Sequence, residues 1–159
     1  MTLDSNAFDS NNENIQARKH WMSVLARAEA SQLEQALSEL EAAPKYMHLR
    51  PPEIGMAMVR GRADAKGDRF NLGEMTISRC SIRLEDGLVG HGYVTGRNKR
   101  HAELAALFDA MLQAPGNGPV LTESVIEPLH AIQVEKRQTD SAKTAATKVN
   151  FFTMVRGED

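Results

Sequence analysis

Arg79 and Arg83, four residues apart, carry the most pointed chemistry in this chain. They stand in an alternating stretch, Arg69 to Arg97, that turns at Asp86-Gly87. That dipeptide suits a two-residue type I′ turn, whose central positions both take φ > 0. A loop of Asp86-Gly87 pairs Leu84 with Val89, Ile82 with His91 and Cys80 with Tyr93 on one mostly apolar face. The opposite face then holds Arg83 across from Gly90, Ser81 across from Gly92 and Arg79 across from Val94. Two guanidinium groups beside two glycines offer donors and room to an extended anion, or to carboxylates of a partner. The plain alternative is a solvated sheet face. Glu74 and Thr76, near Arg79 in sequence, could meet a polar ligand or simply pair across strands.

The histidines are His20, His48, His91, His101 and His130, and no two have the i, i+4 spacing of a helical metal site. His91 stands out because Gly90 and Gly92 flank it and let a ligand or backbone come close. In the predicted register its ring joins the apolar face, as a hydrogen-bonded core histidine does. The chain has no phosphate-cradling glycine loop and no nucleophile-elbow pattern, and residue order alone reveals no Ser/His/Asp set. Cys80 is the single cysteine, so no disulfide forms within the chain and no cysteine cluster holds a metal. On the apolar face it reads as a buried, inert thiol. These residues imply no self-contained catalytic site, no metal and no cofactor bound by this chain.

With 159 residues, 42% hydrophobic and 25% charged, the prior is one soluble globular domain. The net charge of −2 removes a general case for nucleic acid, and 5% aromatics supply no base-stacking platform. Charge is uneven: residues 54–100 hold nine Lys/Arg against five Asp/Glu, while 1–53 and 101–159 each hold five against eight. A basic middle suits an anionic ligand or an acidic partner. No signal pattern opens the chain and no apolar run approaches membrane-spanning length, so a cytoplasmic protein is expected.

The elements that must position these residues follow from periodicity. Residues 1–13 are polar and predicted to be a loose tail, ahead of a single domain over 14–159. Ile15, Trp21, Met22, Leu25 and Ala28 mark a first helix. A second, striped by Leu33, Ala36, Leu37 and Leu40, is capped by Ser31 with Glu34 completing a capping box. Tyr46 to Glu53 reads as a connector, with Pro51-Pro52 forcing an extended path. Ile54 to Arg62 reads as an inner strand, apolar or small on both faces. Asn98 caps a third helix that Pro115 to Pro119 ends. A further helix takes in Val125, Ile126 and Leu129, and 133–148 is an exposed helix or arm. Val149 to Val155 reads as a closing strand. The class is α+β: an N-terminal helical hairpin and further helices packed on a mostly antiparallel sheet with the Asp-Gly hairpin at its centre.

Several blocks together resemble one family. They are Met58 to Arg62, Phe70 to Cys80, Gly90 to Arg97, His101 to Ala106, and Phe151 to Asp159. They are similar to PhnG, a subunit of the bacterial carbon–phosphorus lyase core complex. The resemblance implies a hetero-oligomer with a nucleosidase-like subunit, a radical S-adenosylmethionine subunit carrying an iron–sulfur cluster, and a further core subunit. It implies membership of the alpha-D-ribose 1-methylphosphonate 5-triphosphate synthase, which displaces adenine from ATP with methylphosphonate in organic phosphonate catabolism. ATP is then a substrate of the complex. Within it, this chain is expected to be a non-catalytic scaffold or activating subunit. In the alternative, Arg60, Arg79 or Arg83 lends positive charge to a composite site for the triphosphate or phosphonate.

Overall fold

The computed structural model describes residues 5–40, 44–62 and 67–147, with side chains from residue 12 onward. Helices α1 (Ser5–Leu25) and α2 (Ala30–Ser38) precede strands β1 (Tyr46–Arg62), β2 (Arg69–Leu84) and β3 (Val89–Thr95). Helix α3 (Lys99–Leu112), the single turn α4 (Gly118–Leu121), a π-helical turn (Thr122–Ile126) and α5 (Glu127–Ala146) complete the order. The sheet is antiparallel, in the order β1-β2-β3. The α+β class therefore holds.

Helix α3 is the centre of the molecule. Asn98 caps it, its side-chain oxygen accepting the His101 N–H at 3.0 Å. Leu104, Ala106, Leu107, Phe108 and Ala110 are all 2% exposed or less, so the helix is enclosed on every side. One side lies on β2 and β3, where Ser78, Cys80, Ile82, Leu84 and Val94 are buried. The others meet Val24, Leu25 and Leu33 from α1 and α2, and Leu121, Val125 and Ile126 beyond it.

The β2–β3 turn differs from the expected one. Leu84 and Leu88 close it, with Leu84 N–H donating to Leu88 O at 2.9 Å, so its loop is Glu85-Asp86-Gly87. Gly87 takes φ +91°, whereas no non-glycine among the described residues has positive φ. Asp86 therefore cannot complete a type I′ turn. Instead its carboxylate accepts the Leu88 N–H at 3.0 Å. The extra loop residue slips the register by one, pairing Arg83 with Val89, Ser81 with His91 and Arg79 with Tyr93. A one-residue slip moves every side chain of one strand to the other face. Gly90 and Gly92 therefore turn inward. A Cβ on Gly90 would strike the Ala106 carbonyl, and one on Gly92 the Ala102 carbonyl. Their smallness serves the close approach of α3, not of a ligand.

Other expectations also shift. Helix α1 begins at Ser5 and runs through most of the predicted tail. Glu29, not Ser31, caps α2, its N–H donating to Gln32 Oε1 at 3.0 Å. The predicted connector Tyr46 to Glu53 belongs to β1, with Pro51-Pro52 inside a register shift between Arg50 and Glu53. Proline lacks the ladder N–H and is tolerated at such an irregularity on an edge strand. Among the described residues β1 is that edge strand, and no second neighbour flanks Ile54 to Arg62, which were read as an inner strand. Pro128 sits in the first turn of α5, directly after the π-helical turn, whose wider coil gives the proline ring room. Helix α5 covers most of the predicted arm. The strand expected over Val149 to Val155 lies outside the described residues.

Candidate functional surface

Beyond the last β2–β3 pair, Ile77 with Thr95, strands β1 and β2 continue as a two-stranded ribbon. From Met56 to Arg62 it extends about 20 Å at roughly 3.3 Å per residue. No third strand and no helix covers it among the described residues, and its large apolar side chains are open. Met56 is 69% exposed, Leu72 63%, Met58 51% and Phe70 46%. The β1–β2 register and alternation place Ile54, Met56 and Met58 on one face with Ser78, Thr76 and Glu74. This face continues the core face of the sheet past the end of the helical layer.

The opposite face of the three-stranded part carries the arginines. Arg79 lies between Glu53 on β1 and Tyr93 on β3, and Arg83 between Met47 and Val89. Arg79 Nε donates to Glu53 Oε1 at 2.7 Å, and Arg50 Nε lies 3.6 Å from the same oxygen. Ser81 Oγ and His91 Nδ1 are 2.9 Å apart across the strands. The imidazole is thus on the arginine face, not in the core as the predicted register has it. A hydroxyl beside an imidazole is half of a nucleophilic triad. The rest requires a carboxylate on the far ring nitrogen and an oxyanion hole. Among the described residues, no carboxylate bonds to His91 Nε2.

The six sequence candidates do not converge. Arg79, Arg83 and His91 share the outer face. Glu74 and Thr76 occupy the other face, opposite Met58 and Met56, so they do not join Arg79 around a ligand. Arg60 stands further along the ribbon, paired with Asn71. A cleft of about 680 Å³ opens between α1, the β2–β3 turn and residues 112–122, lined by Arg18, Trp21, Leu88 and Gln113 among others, and none of the six reaches it. Cys80 is fully buried, and that burial pushes its thiol up to about 11, which keeps it protonated.

Two polar clusters escaped the sequence reading. Asp109 is fully buried in α3 and accepts from Arg18 at 2.8 and 3.1 Å, from Trp21 Nε1 at 2.9 Å and from the His91 N–H at 2.9 Å. It ties α1, α3 and the open edge of β3 together. Gln113 Nε2 covers that edge too, donating to Val89 O at 2.8 Å. Glu103 collects Tyr46 OH at 3.0 Å, His48 Nε2 at 2.9 Å and Arg100 at 2.8 Å, while Arg100 also reaches Glu34 at 3.2 Å. Burial opposes the charge of Glu103, but hydrogen bonds from Arg100, Tyr46 and His48 outweigh it and lower its pKa. Burial and the Glu103 carboxylate raise that of Tyr46. An ionised acid and a protonated phenol make a lock joining β1, α2 and α3, not a proton-transfer pair at neutral pH. The available signals were weak: Tyr46 and His48 alternate on a strand, and Arg100 and Glu103 are i, i+3 on a helix.

Comparison with known proteins matches the sequence to one family. The pattern of the family described as "Phosphonate metabolism protein PhnG" fits residues 16–157. A curated relative from Rhizobium meliloti (strain 1021), named alpha-D-ribose 1-methylphosphonate 5-triphosphate synthase subunit PhnG, is 41% identical over 155 residues. The match covers 94% of this chain and 96% of the relative. The chain belongs to the PhnG family.

Proposed function

We propose that this chain is the PhnG subunit of an alpha-D-ribose 1-methylphosphonate 5-triphosphate synthase and contributes by assembly, not by its own catalysis. The observation that carries the assembly role is the uncovered ribbon. Exposed Met, Leu and Phe side chains along both faces of this ribbon, Met56 and Met58 on one and Phe70 and Leu72 on the other, are unusual on a monomer and mark a surface that another protein covers. The relative's name, that of a synthase subunit, agrees with this reading. The occupant is another subunit of the complex: the nucleosidase-like, the radical S-adenosylmethionine or the further core subunit. ATP and methylphosphonate are then substrates of the assembly, with the iron–sulfur cluster and S-adenosylmethionine on a partner, in the cytoplasm. No helix among the described residues is long and apolar enough to cross a membrane.

One observation favours a second reading. The outer face sets Arg50, Arg79 and Arg83 against Glu53, an excess of positive charge that suits the triphosphate. Against it, Arg79 is already held by Glu53. One assay separates the two: adenine release from ATP and methylphosphonate by the chain alone, by the complex, and by the complex carrying Arg79→Glu with Arg83→Glu. Assembly predicts no release by the lone chain. Turnover by the lone chain contradicts that reading. A double variant that assembles but neither binds nucleotide nor turns over would move these arginines into a composite site.

A further inference from the structure

On the helical side of the molecule, away from the sheet, His20 of α1 meets Glu127 and His130 of α5. One ligand atom from each residue lies within 4.8 Å of the other two. The imidazoles stand edge to face with centroids 4.8 Å apart, and His20 Nε2 is 3.6 Å from Glu127 Oε1. That last separation is too long for a good hydrogen bond. The geometry points to a binding site for a divalent transition-metal ion, with zinc the natural occupant, that clamps α5 onto α1.

Three features carry this. The donors are two imidazole nitrogens and one carboxylate oxygen, a borderline set suited to zinc and its neighbours and not to magnesium or calcium. Glu127 and His130 are i, i+3 on one helix, so they project from one side of α5, and His20 completes the set from the other helix. The neighbouring packing fixes the two helices before any ion arrives. Leu129 is buried, and Gln133 Nε2, one turn beyond His130, donates to Val24 O at 2.9 Å, one turn beyond His20. Tetrahedral zinc at about 2.05 Å from each ligand needs donors roughly 3.4 Å apart. Closing from 4.8 Å asks about an ångström of each side chain. His20 and Glu127, with side chains 41% and 57% exposed, have room to move. This exposure also leaves the fourth position to water or to a side chain of a partner.

The clamp has a purpose in this fold. Beyond Leu129, α5 buries little: residues 135–147 are all exposed. A helix without a buried face needs an outside contribution to stay docked. An ion that binds only the folded arrangement supplies it by mass action.

The test uses the full chain without a polyhistidine tag. Zinc is titrated by calorimetry at pH 7.5, and Tm is read with and without it. We expect one zinc per chain and a Tm rise of about 5–10 °C at a hundredfold excess over Kd. His20→Gln, His130→Ala and the exposed Glu127→Gln should each weaken binding tenfold or more, while His48→Ala should not. The metal site is refuted if zinc neither binds nor moves Tm. Stoichiometric binding that survives in Glu127→Gln and His20→Gln alike also overturns it.

Discussion

Asp109 concentrates more of the structure than any other side chain. It is the buried acceptor for a guanidinium and an indole of α1 and for a backbone amide of β3. Removing one member of such a set strands the others without partners. Asp109→Ala is therefore expected to cost about 3–5 kcal/mol in urea denaturation. Loss of less than about 1 kcal/mol would mean that water replaces the carboxylate easily. Glu103 gives a pH signature. Its folded pKa is lowered from the ordinary 4.5, so its contribution is present above that value and is lost as pH falls through the lower, folded one. Glu103→Gln should flatten the acid limb of the stability profile below about pH 4.5. An unchanged acid limb would show that the lock contributes nothing to acid sensitivity.

At the scale of elements, the β3–α3 contact decides the fold. Ala102, Ala106 and Ala110 present a small-residue stripe, and Gly90 and Gly92 receive it. Gly90→Ala must push the helix off the strand, and overpacking of this kind costs about 1–3 kcal/mol or more. A thermal melt of the variant should show the loss, and a melt identical to wild type would mean that α3 has slack. Helix α3 was legible in the sequence because its stripe is strong, Asn98 caps it and a Pro-Gly-Asn-Gly-Pro run stops it. Strand alternation was legible as well. The register was not, since Asp86-Gly87 fits a two-residue and a three-residue loop equally well, and one residue decides which face His91 and both glycines take. The reading of β1 as an inner strand finds no second neighbour among the described residues. Apolar residues on both faces of a strand signal burial, but they do not say whether the cover comes from the same chain. The Asp109 and Glu103 clusters were hidden because Arg18 and Trp21 lie 91 and 88 residues from Asp109, and Tyr46 and His48 lie 57 and 55 from Glu103.

At the scale of the whole molecule, a small helical layer covers only part of a long sheet. The covered part is a finished core; the ribbon beyond it is apolar and, among the described residues, without cover. This division fits a subunit whose fold is independent at one end and whose work begins where a partner meets the other. The sequence identified the family by its blocks, and the ribbon holds two of them, Met58 to Arg62 and much of Phe70 to Cys80. Pairwise spacing could not reveal the surface, since exposure is a property of the assembled layers. The decisive measurement is co-purification of Met56→Lys with Leu72→Lys against the wild-type chain, each co-expressed with the other synthase subunits. Both positions are exposed, so the variant should fold with a stability change within about 0.5 kcal/mol per site, by circular dichroism and melting. The expected result is a folded chain that no longer brings its partners down and no longer supports adenine release. A folded variant that recovers the partners to the wild-type extent, with full activity, would contradict the assignment of the ribbon as the assembly surface.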